Sequence, residues 1–251
     1  MTDTQMVFGV HAAHQALQNL VDNQAVLYVA EKRQDQRIQA IIDIAQMKQV
    51  TIQRCARQQL SRYAKSERHQ GVVLQMNLSQ QPQWSESALL DKLADQQKPA
   101  FLLILDGVQD PHNLGACLRS ADAAGVDAVI LPKNRSVSVT PVVRKVACGA
   151  AETLPVVTVP NLARTLQSLQ KAGVWVVGLD ADTGASQPLY NLELTLPLAL
   201  VMGNEGQGMR ALTMKHCDFM GYLPMQGQVE SLNVSVATGV SLFEVVRQRF
   251  G

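Results

Sequence analysis

Three segments of this chain combine polar side chains, glycines and turns in patterns that could serve chemistry. The first, residues 105–120, follows an apolar run and holds Asp106, the pair Asp110-Pro111, Asn113 and Arg119. Asp110-Pro111 forces a turn, because the residue before a proline is pushed out of the helical region. The helix that follows would carry Asn113, and Arg119 nearly two turns later, at or close to the C-terminal edge of a sheet. An amide and a guanidinium placed there can hold a phosphate and an adjacent ribose. On pattern alone the same residues serve equally as a helix cap and a solvated arginine.

In the second segment an apolar run ends in Gly203, Asn204, Glu205, Gly206, Gln207 and Gly208. Glycines at this density let the backbone approach a ligand closely and offer amide donors. Their order is neither GxGxxG nor the phosphate-loop pattern, so a nucleotide-like ligand without a pyrophosphate fits better. A plain tight turn after a strand is the competing reading. The third segment runs from Leu223-Pro224-Met225 to Ser231, Leu232, Asn233, Val234 and Ser235, at the entry of a final helix rich in Val, Ala and Leu. Ser231 and Asn233 are cap-forming types, and capping alone would account for them.

The elements that must position these residues are legible from hydrophobic periodicity. Residues 8–20 and 38–47 read as helices, 26–30 and 71–76 as strands, enough for a small α/β domain over residues 1–76. Residues 77–99 are Gln, Ser and Pro rich, with a short amphipathic patch at 88–93, and read as a linker carrying one weak helix. From residue 100 the alternation strengthens. Strands are expected at 101–105, 128–131, 156–159, 174–179 and 198–202, and helices at 114–124, 141–147, 161–172 and 235–249. Strands and helices in turn imply a mostly parallel, covered sheet whose ligands sit beyond the strand C-terminal ends. This second domain spans residues 100–251.

A chain of 251 residues with 47% hydrophobic content can bury a full core. With 17% charged residues and a formal net charge of +1, no global field advertises a nucleic-acid partner. The charge is unevenly spread, however. Residues 1–75 carry nine Lys or Arg against six Asp or Glu, whereas residues 99–251 carry eleven against twelve. RNA phosphate contacts are therefore sought in the first domain, at Arg54, Arg57, Arg62, Lys65 and Arg68, which could equally be a solvated face. Cys55, Cys117, Cys148 and Cys217 form no CxxC pair, and the histidines form no spaced cluster, so no metal site is expected. No apolar run reaches the roughly 18 residues of a membrane span, and no signal-peptide pattern opens the chain. The protein reads as cytoplasmic, with reduced thiols.

Together the three segments resemble, in order and spacing, the three motifs of the SpoU (TrmH) family of RNA ribose methyltransferases, over essentially all of residues 100–249. The run Arg144 to Glu152 and the run Ser231 to Gly239 are especially similar to the family pattern, and Phe8-Gly9-Val10-His11-Ala12 resembles the opening of a ribosomal-protein-like RNA-binding domain. The resemblance implies a second domain threaded into a deep trefoil knot, which ordinary topology rules would not suggest. It also implies S-adenosylmethionine as methyl donor, with no metal, and a guanosine ribose in the peptidyl-transferase region of 23S rRNA as acceptor. Gly203, Leu223 and Leu232 would contact the donor, with Met202 and Met225 nearby. Asn113, Arg119, Glu205, Ser231 and Asn233 would carry the chemistry. Pairing of two copies through the second domain is implied as well, so that Arg119 of one subunit serves a site completed by the other. A guanidinium is essentially never deprotonated in proteins, so Arg119 is read as a phosphate clamp rather than a general base. The competing readings are the same chemistry on tRNA and a non-catalytic RNA-binding protein of ribosome assembly.

Overall fold

The computed structural model describes residues 4–251 except 19, 21–24, 32, 34, 78–83, 181–185, 205 and 207. Two compact units divide the chain, Met1–Pro82 and Gln83–Gly251.

In the first unit the order is β1 (Thr4–Phe8), α1 (Val10–Gln18), β2 (Val26–Ala30), α2 (Gln36–Met47), β3 (Thr51–Cys55), α3 (Arg57–Ala64) and β4 (Val72–Asn77). The sheet order is β1-β4-β2-β3, with β4 antiparallel to both β1 and β2, and β3 parallel to β2. Both faces of the sheet are covered. Ala13 and Leu17 of α1 and Ile38, Ile41 and Ala45 of α2 pack with Leu27, Val29, Val72 and Leu74 on one face. Leu60 and Ala64 of α3 pack with Tyr28, Cys55 and Val73 on the other. This alternation follows from the period of two along a strand, which sends Leu27 and Tyr28 to opposite sides. Periodicity had suggested a helix from residue 8. The structure instead gives residues 4–8 to an edge strand and starts the helix at Val10.

In the second unit α4 (Glu86–Asp95), β5 (Phe101–Asp106), α5 (Pro111–Ala123), β6 (Ala128–Pro132), α6 (Pro141–Ala147), α7 (Ala150–Thr153), β7 (Val156–Val159), α8 (Leu162–Lys171), β8 (Trp175–Leu179), β9 (Gln187–Pro188), β10 (Leu198–Gly203), α9 (Ala211–Lys215), β11 (Phe219–Tyr222) and α10 (Val234–Phe250) follow in turn. The seven strands pair parallel throughout in the order β7-β6-β5-β10-β8-β11-β9. Such a sheet needs both faces covered, and β5, β6 and most of β10 are buried at every position. One face packs with α5, α6, α7 and α10, the other with α4 and α8.

The helix expected inside the linker belongs to this second unit. Leu89 of α4 is 1% exposed and packs with Leu102, Ile130, Val157 and Leu166. Burying one leucine contributes about 1.5–3 kcal/mol, which is enough to seat a short helix that propensity alone would leave marginal.

Candidate active site

Because the strands are parallel, the segments that follow β5, β10 and β11 all leave the same edge of the sheet. Those are the three segments singled out above. β5 and β10 are neighbours in register, Asp106 opposite Gly203, so the first two segments start side by side.

α5 begins where Asp110 caps it, its carboxylate accepting the His112 amide at 2.9 Å, with Pro111 preset for the first turn. That places Asn113 in the first turn, where it is buried. Asn233 caps α10, its Oδ1 accepting the Ser235 amide at 2.9 Å and the Ser235 hydroxyl at 2.6 Å. The cap fixes which end of the Asn233 amide is oxygen, so its Nδ2 faces the other way and donates to Asn113 Oδ1 at 3.1 Å. Two asparagines 120 residues apart in sequence are thereby locked together, and the Asn113 amide nitrogen, with no hydrogen-bond partner among the described residues, can donate to a ligand.

Arg119 does not join them within one protomer. Six residues along α5 correspond to about 9 Å of rise and about 120° of rotation. Arg119 is exposed, and its Nη1 lies 3.7 Å from Cys148 Sγ. Cys148 sits in the turn between α6 and α7 with a φ of +54°, in the left-handed region. That turn is clamped by a pair on either side of it, Arg144 Nη1 to Glu152 Oε1 at 3.1 Å. The Glu152 side chain is almost wholly buried, and burial pushes its carboxyl above the ordinary range although Arg144 opposes the shift.

The segment after β10 folds back on itself. Asn204 and Gly208 exchange two backbone hydrogen bonds of 3.0 Å each. A Cβ on Gly203 would sit 2.4 Å from Gly208 C and from Met209 N, and a Cβ on Gly208, whose φ is +64°, would meet the Asp180 carboxylate at 2.8 Å. Only glycine permits this return. Of the other expected donor contacts, Leu223 and Met225 are half-buried and Leu232 is partly exposed, while Met202 is 4% exposed and its side chain belongs to the core. Ser231 is exposed at the entry to α10. Glu205 lies outside the described residues.

In the first unit Arg54, Arg57, Arg62, Lys65 and Arg68 are all exposed, and none has an ion-pair partner among the described residues. They do not form one stripe, since Arg57 and Arg62 diverge by about 140° around α3. Arg54 lies on the edge strand β3, and Lys65 and Arg68 lie at and beyond the end of α3. The loop carrying the last two is pinned by His69, whose Nδ1 accepts the Gly71 amide at 3.0 Å and whose Nε2 lies 3.2 Å from Ser61 Oγ. Its burial, then Arg57 nearby, lowers the His69 pKa and keeps the ring neutral. Sequence alone assigned no role to Asp106 or Cys148, although both lie in the segments quoted above, and did not single out Asp180 or Arg210; all four contact residues of the candidate site. For the two aspartates a signal existed, since each directly follows an apolar run. Among the described residues no helix is long and apolar enough to cross a membrane, and no group of three potential ligands could hold a metal.

A covered parallel sheet whose C-terminal edge carries a glycine hairpin beside an oriented amide pair is an α/β site for a small nucleotide-like ligand. Its companion unit is a separate domain whose exposed Arg54, Arg57, Arg62, Lys65 and Arg68 have no ion-pair partner among the described residues. The chain belongs to the SpoU rRNA Methylase family. That family's profile matches residues 100–243, and the profile for RNA 2'-O ribose methyltransferase substrate binding matches residues 6–82. The 23S rRNA (guanosine-2'-O-)-methyltransferase RlmB of Pseudomonas putida is 49% identical over 99% of this chain and 98% of its own. Its namesake in Haemophilus influenzae is 48% identical over 99% of each. The fold is also that of the SpoU methyltransferase AviRb from Streptomyces viridochromogenes, solved in complex with AdoMet, at TM-score 0.78 and 23% identity, covering 98% of this chain and 90% of that one.

Proposed function

We propose that this chain transfers a methyl group from S-adenosylmethionine to the 2'-hydroxyl of a guanosine ribose in 23S rRNA, in the cytoplasm. The observation that carries the reading is similarity at about half identity along both units to enzymes named for that reaction. The local geometry fits such a donor. Gly203 and the hairpin folded over it form a close backbone cradle that any Cβ would fill, and Leu223, Met225 and Leu232 offer apolar surface at the same sheet edge.

When bound, S-adenosylmethionine supplies a sulfonium-activated methyl group, so the protein's part is mainly to align the acceptor oxygen. Asn113, oriented by Asn233, donates from its amide nitrogen to a ribose or phosphate oxygen. Arg119 clamps a phosphate in a bidentate manner and lowers the pKa of the 2'-hydroxyl, while the proton leaves to an RNA phosphate or to water. Ser231 shapes the acceptor pocket.

The separation of Arg119 from the asparagine pair within one protomer supports a homodimer in which Arg119 serves the partner's site. A surface for that pairing is available. Val236, Val240, Phe243 and Phe250 fall on one face of α10 and are exposed, the last three quarters or more so. Arg54, Arg57, Arg62, Lys65 and Arg68 give the first unit its hold on the RNA backbone.

The target is tested by offering labelled S-adenosylmethionine with 23S rRNA transcript and with tRNA in parallel. Label in 23S rRNA alone is expected. Label in tRNA alone keeps the chemistry and overturns the target, and no donor binding at all favours a non-catalytic RNA binder.

A further inference from the structure

β10 lies between β5 and β8, and both neighbours end in an aspartate at the level of Gly203. Asp106 pairs with Gly203 directly, and Asp180 follows Leu179, whose partner is Met202. The chain that leaves Gly203 makes its hairpin and comes back between these two carboxylates. The consecutive amides of Met209 and Arg210 are then taken one by each, Met209 N to Asp180 Oδ2 at 3.1 Å and Arg210 N to Asp106 Oδ2 at 3.2 Å. The Arg210 side chain turns back as well, its Nε donating to Asp106 Oδ1 at 2.6 Å and its Nη2 contacting the same oxygen.

The Asp106 side chain has no solvent exposure, while Arg210 remains 39% exposed. A carboxylate at that depth is costly unless it is paired and hydrogen-bonded, and both partners it has in the described residues come from Arg210. The point at which the chain returns over Gly203 is therefore dictated by where Asp106 finds its cation. The hairpin's own two bonds close a short loop containing Gly206 and Gly208, residues that lose much backbone freedom when ordered. A loop that is ordered before its ligand arrives spares that cost on binding.

We propose that Asp106 and Arg210 are positioning residues of the methyl-donor site. Their ion pair, with Asp180 on the other flank, holds the returning residues Gly208, Met209 and Arg210 against Gly203 and keeps the donor-binding backbone there pre-formed. The inference rests on the donor reading given above. It assigns Arg210 an effect on donor affinity, with no contact to the reacting atoms.

The test uses the full-length chain and two variants, Arg210→Ala and the double variant Asp106→Asn/Arg210→Gln. The double variant removes both charges, so no unpaired buried carboxylate remains, and it decides the matter if Arg210→Ala does not fold. Two quantities are read: amide hydrogen exchange at Gly208, Met209 and Arg210 without donor, and the Kd for S-adenosylmethionine by calorimetry. Exchange should accelerate at these amides while that of β5 and β10 stays as in the parent chain. Donor Kd should rise about tenfold to a hundredfold, the loss expected for a charge-assisted pair. In turnover the loss should fall on the KM for the donor far more than on kcat. Arg210→Lys, which keeps the charge but not the planar fork, should fall between parent and Arg210→Ala. A folded variant with parental exchange and parental Kd overturns the proposal. A parent chain that binds no S-adenosylmethionine overturns the donor reading itself, which separates the two failures.

Discussion

Replacing Gly203 by alanine puts the hairpin geometry to a direct test. The added methyl would stand 2.4 Å from Gly208 C and Met209 N and 2.8 Å from Gly208 O. Ordinary van der Waals contact begins at 3.4 Å, so the returning chain must retreat by about 1 Å. All three atoms belong to the backbone, and no side chain can swing away to relieve them. A retreat of that size strains the 3.0 Å bonds between Asn204 and Gly208 and the 3.1 Å bond from Met209 to Asp180. Overpacking of this kind costs about 1–3 kcal/mol. If that cost is felt at the donor site, affinity falls by about 5- to 150-fold. Calorimetric titration of S-adenosylmethionine into Gly203→Ala measures it, with circular dichroism to establish that the chain is folded. RNA affinity should be unchanged, since the first unit folds around its own core. Donor affinity within twofold of the parent, in a folded variant, would refute the claim that the close return over Gly203 builds the site.

Three further outcomes follow from local features. Cys148 is exposed beside Arg119, whereas Cys55 and Cys117 are buried and burial pushes the Cys217 thiol up to about 12. Brief maleimide treatment should therefore modify Cys148 first and abolish methyl transfer while sparing donor binding, and Cys148→Ser should resist the treatment; inhibition of that variant at the parental rate would exclude Cys148 as the target. If Arg57 and Arg62 touch phosphates, Arg57→Glu/Arg62→Glu should weaken RNA binding and flatten its log–log salt dependence by about 1.5, and an unchanged slope in filter binding would assign both arginines to a solvated face. Burial holds the His69 pKa below its unfolded value of about 6.5, so the unfolded chain takes up protons first as pH falls. The stability contributed by neutral His69 is thus fully present above that pH and declines below it; urea midpoints of the first unit that did not drop between pH 7 and pH 5 would contradict this.

Much of the scaffold was legible because apolar runs and turns encode it locally. The strands at Val26–Ala30 and Val156–Val159 and the helix Pro141–Ala147 sit where periodicity put them. What it missed are elements without a readable period. Thr51–Cys55 alternates little, being an edge strand with mostly exposed positions, and α3 buries only Leu60 and Ala64. The strand Phe219–Tyr222 has one buried residue and draws its stability from pairing with β8. At the site, Asn113 and Asn233 were singled out as residues, but their mutual bond spans 120 positions and no local pattern reports it. The same holds for Arg210, which finds Asp106 across 104 positions. Periodicity likewise says nothing of the order in which loops pass, so the trefoil threading rests on family resemblance.

The most direct test of the account is nucleoside mass spectrometry of 23S rRNA transcript incubated with S-adenosylmethionine and either the parent chain or Arg119→Ala. 2'-O-methylguanosine is expected with the parent and none with Arg119→Ala, whose RNA binding weakens only by the one phosphate contact it loses. A methyl group on a base, or 2'-O-methylguanosine formed at the parental rate by Arg119→Ala, would contradict it.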